Sequence, residues 1–101
     1  MSLLDAPIRV VLADDHEMVR DALAKILEQS GRINVVRQAS DGQQAIAAAE
    51  QCQPEVLVLD YTRPKGDGPE VIQTLQQSAP AVRTLVRHVP ANLHSAVGVV
   101  E

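Results

Sequence analysis

Short apolar blocks alternate with helical stripes along this chain. Ile8, Val10, Val11, Leu12 and Ala13 predict a first strand. Met18, Val19, Ala22, Leu23, Ile26 and Leu27 then recur at helical spacing and predict a helix with one continuous apolar stripe, which Gly31 can end. Ile33 to Ala39 reads as a second strand. Ser40 and Gln43 have the spacing of a capping box, so a second helix should begin near Asp41, carry Ala45, Ile46, Ala48 and Ala49, and stop at Gln53 and Pro54. Val56 to Asp60 is a third strand, and Pro69 suits the first turn of a third helix bearing Val71, Ile72 and Leu75. Val82 to Val86 predicts a shorter fourth strand. Beyond Pro90, Leu93, Ala96, Val97 and Val100 lie at helical spacing, opposed by Gly98 and the β-branched valines. Strands alternating with helices imply βαβ units, hence an α/β domain with a parallel sheet covered on both faces.

Composition narrows the picture. A length of 101 residues allows one domain with a modest core, and 46% hydrophobic content is ordinary for a globular chain. Phe and Trp are absent and Tyr61 is the lone aromatic, so the core must be aliphatic and rich in Ala. A net charge of -4 argues against a nucleic-acid-binding surface, and any DNA-binding output is expected outside this segment. No run approaches the ~20 apolar residues of a membrane span, and Met1 to Ala6 lacks the features of a signal peptide, which predicts a cytoplasmic protein. Cys52 is the single cysteine, excludes an intramolecular disulfide, and reads as structural at a helix end.

The chemistry sits at strand ends. Asp14 and Asp15 directly follow the first strand, and Asp60 closes the third. Ligands of open parallel sheets collect at the carboxyl ends of strands, so adjacent strands ending in Asp would pool their charge in one crevice. Two ionised carboxylates ~4 Å apart repel by roughly 4 kcal/mol at an effective dielectric near 20, and three therefore call for a cation or a shared proton. An all-oxygen donor set suits Mg2+, which keeps several waters and is commonly paired with phosphate oxygens. Asp60 could serve as a nucleophile, an ionised carboxylate forming an acyl phosphate. The plainer alternatives are an N-cap for Asp14 and Asp15 and a strand-end cap for Asp60. His16, without a partner at ligand spacing, reads as a surface residue at a helix start. Asp67 and Gly68 read as a tight turn.

The stretches IRVVLADDHEMVRDAL, ASDGQQAI and PEVLVLDYTRPKGDG resemble the receiver domain of bacterial two-component response regulators, especially the NarL/FixJ-type branch, over residues 7 to 86. That resemblance implies a flavodoxin-like (CheY-like) parallel sheet in strand order 2-1-3-4. It also implies phosphorylation of Asp60 by a sensor histidine kinase, with Mg2+ held by Asp14, Asp15, Asp60 and the backbone carbonyl of Thr62. Residues 87 to 101 diverge from the pattern, and the family's fifth strand, its Lys and its fifth helix are missing. His88 stands where receivers usually carry a Ser or Thr that meets the phosphoryl oxygen and relays the signal. Arg63 replaces an apolar residue before Pro64 and is a compensating cation close to the acceptor.

Two readings of function stay open beside a weaker third. One is a phosphoacceptor module that regulates transcription through an output domain absent here. Its rival is a degenerate receiver acting as an interaction or dimerisation module without a phosphorylation switch. An Asp-nucleophile phosphatase is disfavoured, because Thr62 occupies the place of its general-acid Asp. A homodimer is expected in either case, through pairing of fourth strands or exchange of Ala91 to Glu101, since an uncovered apolar edge invites association.

Overall fold

Side chains alternate across β1 (Ile8–Ala13) and so supply both faces of the sheet. The computed structural model describes residues 6–60 and 68–87. The expected turn at Asp67, the expected helix over 92 to 100, and Tyr61, Thr62, Arg63 and His88 lie outside these residues. After β1 come α1 (Glu17–Gln29), β2 (Ile33–Ala39), α2 (Gly42–Cys52), β3 (Val56–Asp60), α3 (Gly68–Ser78) and β4 (Arg83–Arg87). The strands pair in parallel in the order β2-β1-β3-β4, the flavodoxin-like order expected above. Among the described residues no helix is long and apolar enough to cross a membrane.

Val11 and Ala13 of β1 join Ala39, Leu57 and Leu59 against Ala45, Ala48 and Ala49 of α2 and Val71 and Leu75 of α3. This is the main core, and its small alanines let α2 come close to the sheet. Val10 and Leu12 point to the opposite face, where α1 packs on β1 and β2 with Ala24 buried. Cys52, the last residue of α2, is a free thiol half-buried against the main core, in keeping with a structural role.

The α1 stripe departs from expectation. Met18 is 85% exposed and Ile26 61%, Val19 and Ala22 also face solvent, and Leu23 and Leu27 are only half-buried. The reason is placement: α1 leans on β1 and β2, and none of the described helices covers this face over β3 and β4. Leu85 of β4, level with Val58 and Leu12 on that same face, is correspondingly 59% exposed.

Two local boundaries also shift. The α2 cap lies one residue later than the Ser40/Gln43 spacing implies: Asp41 accepts the Gln44 N–H at 2.8 Å. Gln44 Oε1 in turn accepts the Ser40 N–H and hydroxyl, each at 3.0 Å. Asp41 takes the position because its carboxylate finds the Gln44 N–H, while Ser40 is engaged by the Gln44 side chain. The fourth strand starts at Arg83 because Val82, buried, spends its N–H on the Ala79 carbonyl at 3.1 Å. Gln53 closes α2 in the left-handed region at φ 47, and Gly31, at φ 76, follows the Ser30 C-cap of α1.

Candidate functional site at the carboxyl ends of β1 and β3

The strand order reverses between β1 and β3, with α1 leaving to one face and α3 to the other. Such a switch point opens a crevice beyond the strand ends. Ala13 stands opposite Leu59, so Asp14 leaves β1 level with Asp60, the last residue of β3. Asp60 is itself opposite Arg87 of β4. The register thus brings the acidic pair and the expected acceptor to one sheet edge.

Asp14 is only 1% exposed, a rare setting for a carboxylate. Its backbone N–H donates to the Ala39 carbonyl at 3.0 Å and continues the β1–β2 ladder past the strand end. Its Oδ1 accepts the His16 N–H at 2.8 Å. Its carbonyl accepts from Arg20 Nη1 at 2.8 Å, and Arg20 Nε donates to Gln38 Oε1 at 3.0 Å. Every polar group of the Asp14 backbone is therefore held by a different element.

Asp15 is more open, and its Oδ1 lies 2.9 Å from His16 Nδ1, which is 3.4 Å from Asp14 Oδ1. His16 is the N-cap of α1 without a side-chain cap bond, so neither aspartate caps this helix in the usual sense. The histidine is a surface residue, as its sequence setting implies, yet it is not alone. Ligand atoms of Asp14, Asp15 and His16 lie within 4.8 Å of one another. A sequence scan for His or Cys spacing passes over this grouping, since the partners are the two preceding residues. Arg20 and Gln38 were also missed as parts of the site. The available signal was position: a long side chain one turn into a helix reaches back towards the preceding turn.

The donor chemistry fits a hard divalent ion. Two carboxylates at a strand end, one of them removed from solvent, provide the oxygen donors Mg2+ prefers.

The model of the response regulator receiver domain family matches residues 10–98. The chain belongs to that family. The receiver is 34% identical over 79 residues to the transcriptional regulatory protein DegU of Brevibacillus brevis, an overlap of 78% of this chain and 34% of the relative. Among solved structures it resembles the signal receiver domain of NarL from Mycobacterium tuberculosis, with a TM-score of 0.76 and 32% identity over 92% of this chain and 77% of that one. It also resembles RcsB from Salmonella enterica bound to a promoter in the presence of the phosphomimetic BeF3-, with a TM-score of 0.72 and 29% identity over 81% of this chain and 42% of that one. The chain spans about a third of the length of the curated relatives it matches. It is a receiver domain of two-component response regulators, homologous to transcriptional regulators such as NarL and DegU. Receiver domains generally bind Mg2+ at an acidic pocket, interact with histidine kinases and often dimerise.

Proposed function

We propose that this receiver accepts a phosphoryl group on Asp60 from a phosphohistidine of a sensor kinase. Asp14, Asp15, Asp60 and the carbonyl of Thr62 would hold Mg2+. When bound, the ion supplies charge neutralisation for phosphoryl oxygens meeting a carboxylate nucleophile. An Asp60 carboxylate oxygen forms the new bond to phosphorus as the phosphorus–nitrogen bond of the donor breaks, and the freed imidazole leaves with the electron pair. Water later cleaves the acyl phosphate and restores the carboxylate. In this reading His88 occupies the switch position and Arg63 supplies a compensating cation. A transcriptional output domain outside this chain would read the change, in the cytoplasm.

One observation carries this reading: a carboxylate only 1% exposed, Asp14, at the sheet edge where β3 delivers Asp60. Mg2+ should raise the melting temperature by mass action, by about 5–10 °C at ten times its Kd for a domain of this size. Asp15→Asn should lose most of that shift. Thermal melts across a millimolar Mg2+ series check it, and a flat wild-type response refutes the metal assignment.

The rival reading, a degenerate receiver used for association, draws on the exposed Met18, Ile26 and Leu85. Among the described residues β4 has only β3 as a neighbour, which leaves one row of strand amides and carbonyls open to pairing. A homodimer is expected at ~100 µM by light scattering coupled to size exclusion, and Leu85→Lys should shift it towards monomer, since a charge on an edge opposes pairing. A single monomeric species in the wild type refutes dimerisation. Titration with beryllofluoride separates the two readings, because only a phosphoacceptor responds to it.

A further inference from the structure

We propose that Arg20 is a positioning residue for the acidic pair, setting the direction in which Asp14 and Asp15 present their carboxylates to a cation. The inference rests on the Mg2+ reading above and adds a residue to it. Arg20 lies one turn inside α1, with its own N–H bonded to the His16 carbonyl at 2.8 Å. Its guanidinium is partly buried and forks between two elements: Nη1 to the Asp14 carbonyl at 2.8 Å and Nε to Gln38 Oε1 of β2 at 3.0 Å. A guanidinium presents its N–H donors in a rigid plane, so two simultaneous bonds fix its orientation as well as its place.

The bond to the Asp14 carbonyl matters because of peptide planarity. In a trans peptide the C=O of one residue and the N–H of the next point in opposite directions within one plane. Anchoring the Asp14 carbonyl therefore also sets the Asp15 N–H, and with it the start of the Asp15 side chain. The other end of Asp14 is already held by its N–H bond to Ala39. Without Arg20 the 14–15 peptide keeps its covalent plane but loses a contact that opposes its turning. The carboxylate that accepts the His16 N–H at 2.8 Å would then lose its fixed aim. Arg20 does not reach for the ion; it acts through the backbone of the residue that would hold it.

The test uses the full chain in three variants, Arg20→Met, Arg20→Lys and Gln38→Ala, with two readouts. Mg2+ affinity comes from calorimetric titration of the folded chain. Exchange of the His16 amide, followed by NMR without metal, reports whether Asp14 still accepts it. Arg20→Met should weaken Mg2+ binding by about 10- to 100-fold, the usual cost of losing a group that orients a metal ligand. It should also speed exchange at His16. Arg20→Lys should recover part of both, since an ammonium reaches one acceptor but cannot fork across two. Gln38→Ala, which leaves the Arg20 charge intact, should weaken binding in the same direction by a smaller factor.

Were Arg20 only a brace for the fold, Arg20→Met would melt earlier while affinity and His16 exchange in the folded chain stayed unchanged, which overturns the proposal. Tighter Mg2+ binding in Arg20→Met would mean the guanidinium repels the ion, and overturns it too. If Arg20→Met does not fold, Arg20→Lys and Gln38→Ala carry the same comparison, and wild-type behaviour in both refutes it. If the wild type takes up no Mg2+, the metal reading fails by itself. The metal-free exchange then still decides whether Arg20 holds Asp14.

Discussion

Asp60→Asn is expected to abolish phosphoryl uptake altogether. An amide oxygen carries no charge to form an acyl phosphate, and the strand register brings Asp60, the last residue of β3, level with Asp14. Incubating the wild type with acetyl phosphate and Mg2+ should add the mass of one phosphoryl group, while Asp60→Asn adds none. Wild-type uptake should be slow on the proposal that puts His88 at the switch position, where a hydroxyl would otherwise meet the phosphoryl oxygen. Removing one donor to a developing charge costs ~10²- to 10³-fold in rate, so His88→Thr should accelerate modification visibly. An adduct on Asp60→Asn would place the acceptor elsewhere. Rapid, complete modification of the wild type would show that His88 does not slow the reaction as proposed.

A comparable effect on stability is expected from Leu57→Ala. Leu57 is fully buried in β3, between Val11 of β1 and Thr84 of β4, in the cluster that meets α2 and α3. Much of what surrounds that cluster is Ala45, Ala48 and Ala49, whose short side chains cannot extend into a void. The cost should lie towards the upper part of the ~2–5 kcal/mol range for burying a cavity of this kind, against a total stability of about 5–15 kcal/mol. The melting temperature should fall by roughly 15–25 °C for a domain of this size. Leu85→Ala removes the same atoms from an exposed position and should cost less than ~1 kcal/mol. Urea unfolding of both variants checks the contrast. Similar midpoints for the two would mean that the core does not depend on β3 as described.

What the chain encodes locally was legible in it. Strand alternation has a period of two and helix periodicity one of 3.6, so β1, β2 and β3 could be read with their observed bounds, and the carboxylates that end β1 and β3 followed. Asp14 and Asp60 were legible as level strand ends because a parallel sheet aligns them, a property of the fold class itself. The cap at Asp41 and the start of β4 were each misplaced by one residue. Ser40 and Asp41 are both good caps, and only the partner each one finds separates them.

Other features were decided by tertiary structure. The apolar residues of α1 predict a buried stripe, yet burial depends on what a helix leans against. With β1 and β2 beneath it and no described helix beside it, Met18 and Ile26 remain in solvent. His16 and Asp15 are adjacent in the chain, but their 2.9 Å contact required the chain to turn out of β1 into α1. Arg20 and Gln38 lie 18 residues apart and carry no shared motif. They meet at Asp14 because α1 crosses back over the β1–β2 pair, which sequence periodicity does not encode: it specifies which face of an element is apolar, whereas the distance between polar groups on different elements is set by how those faces pack.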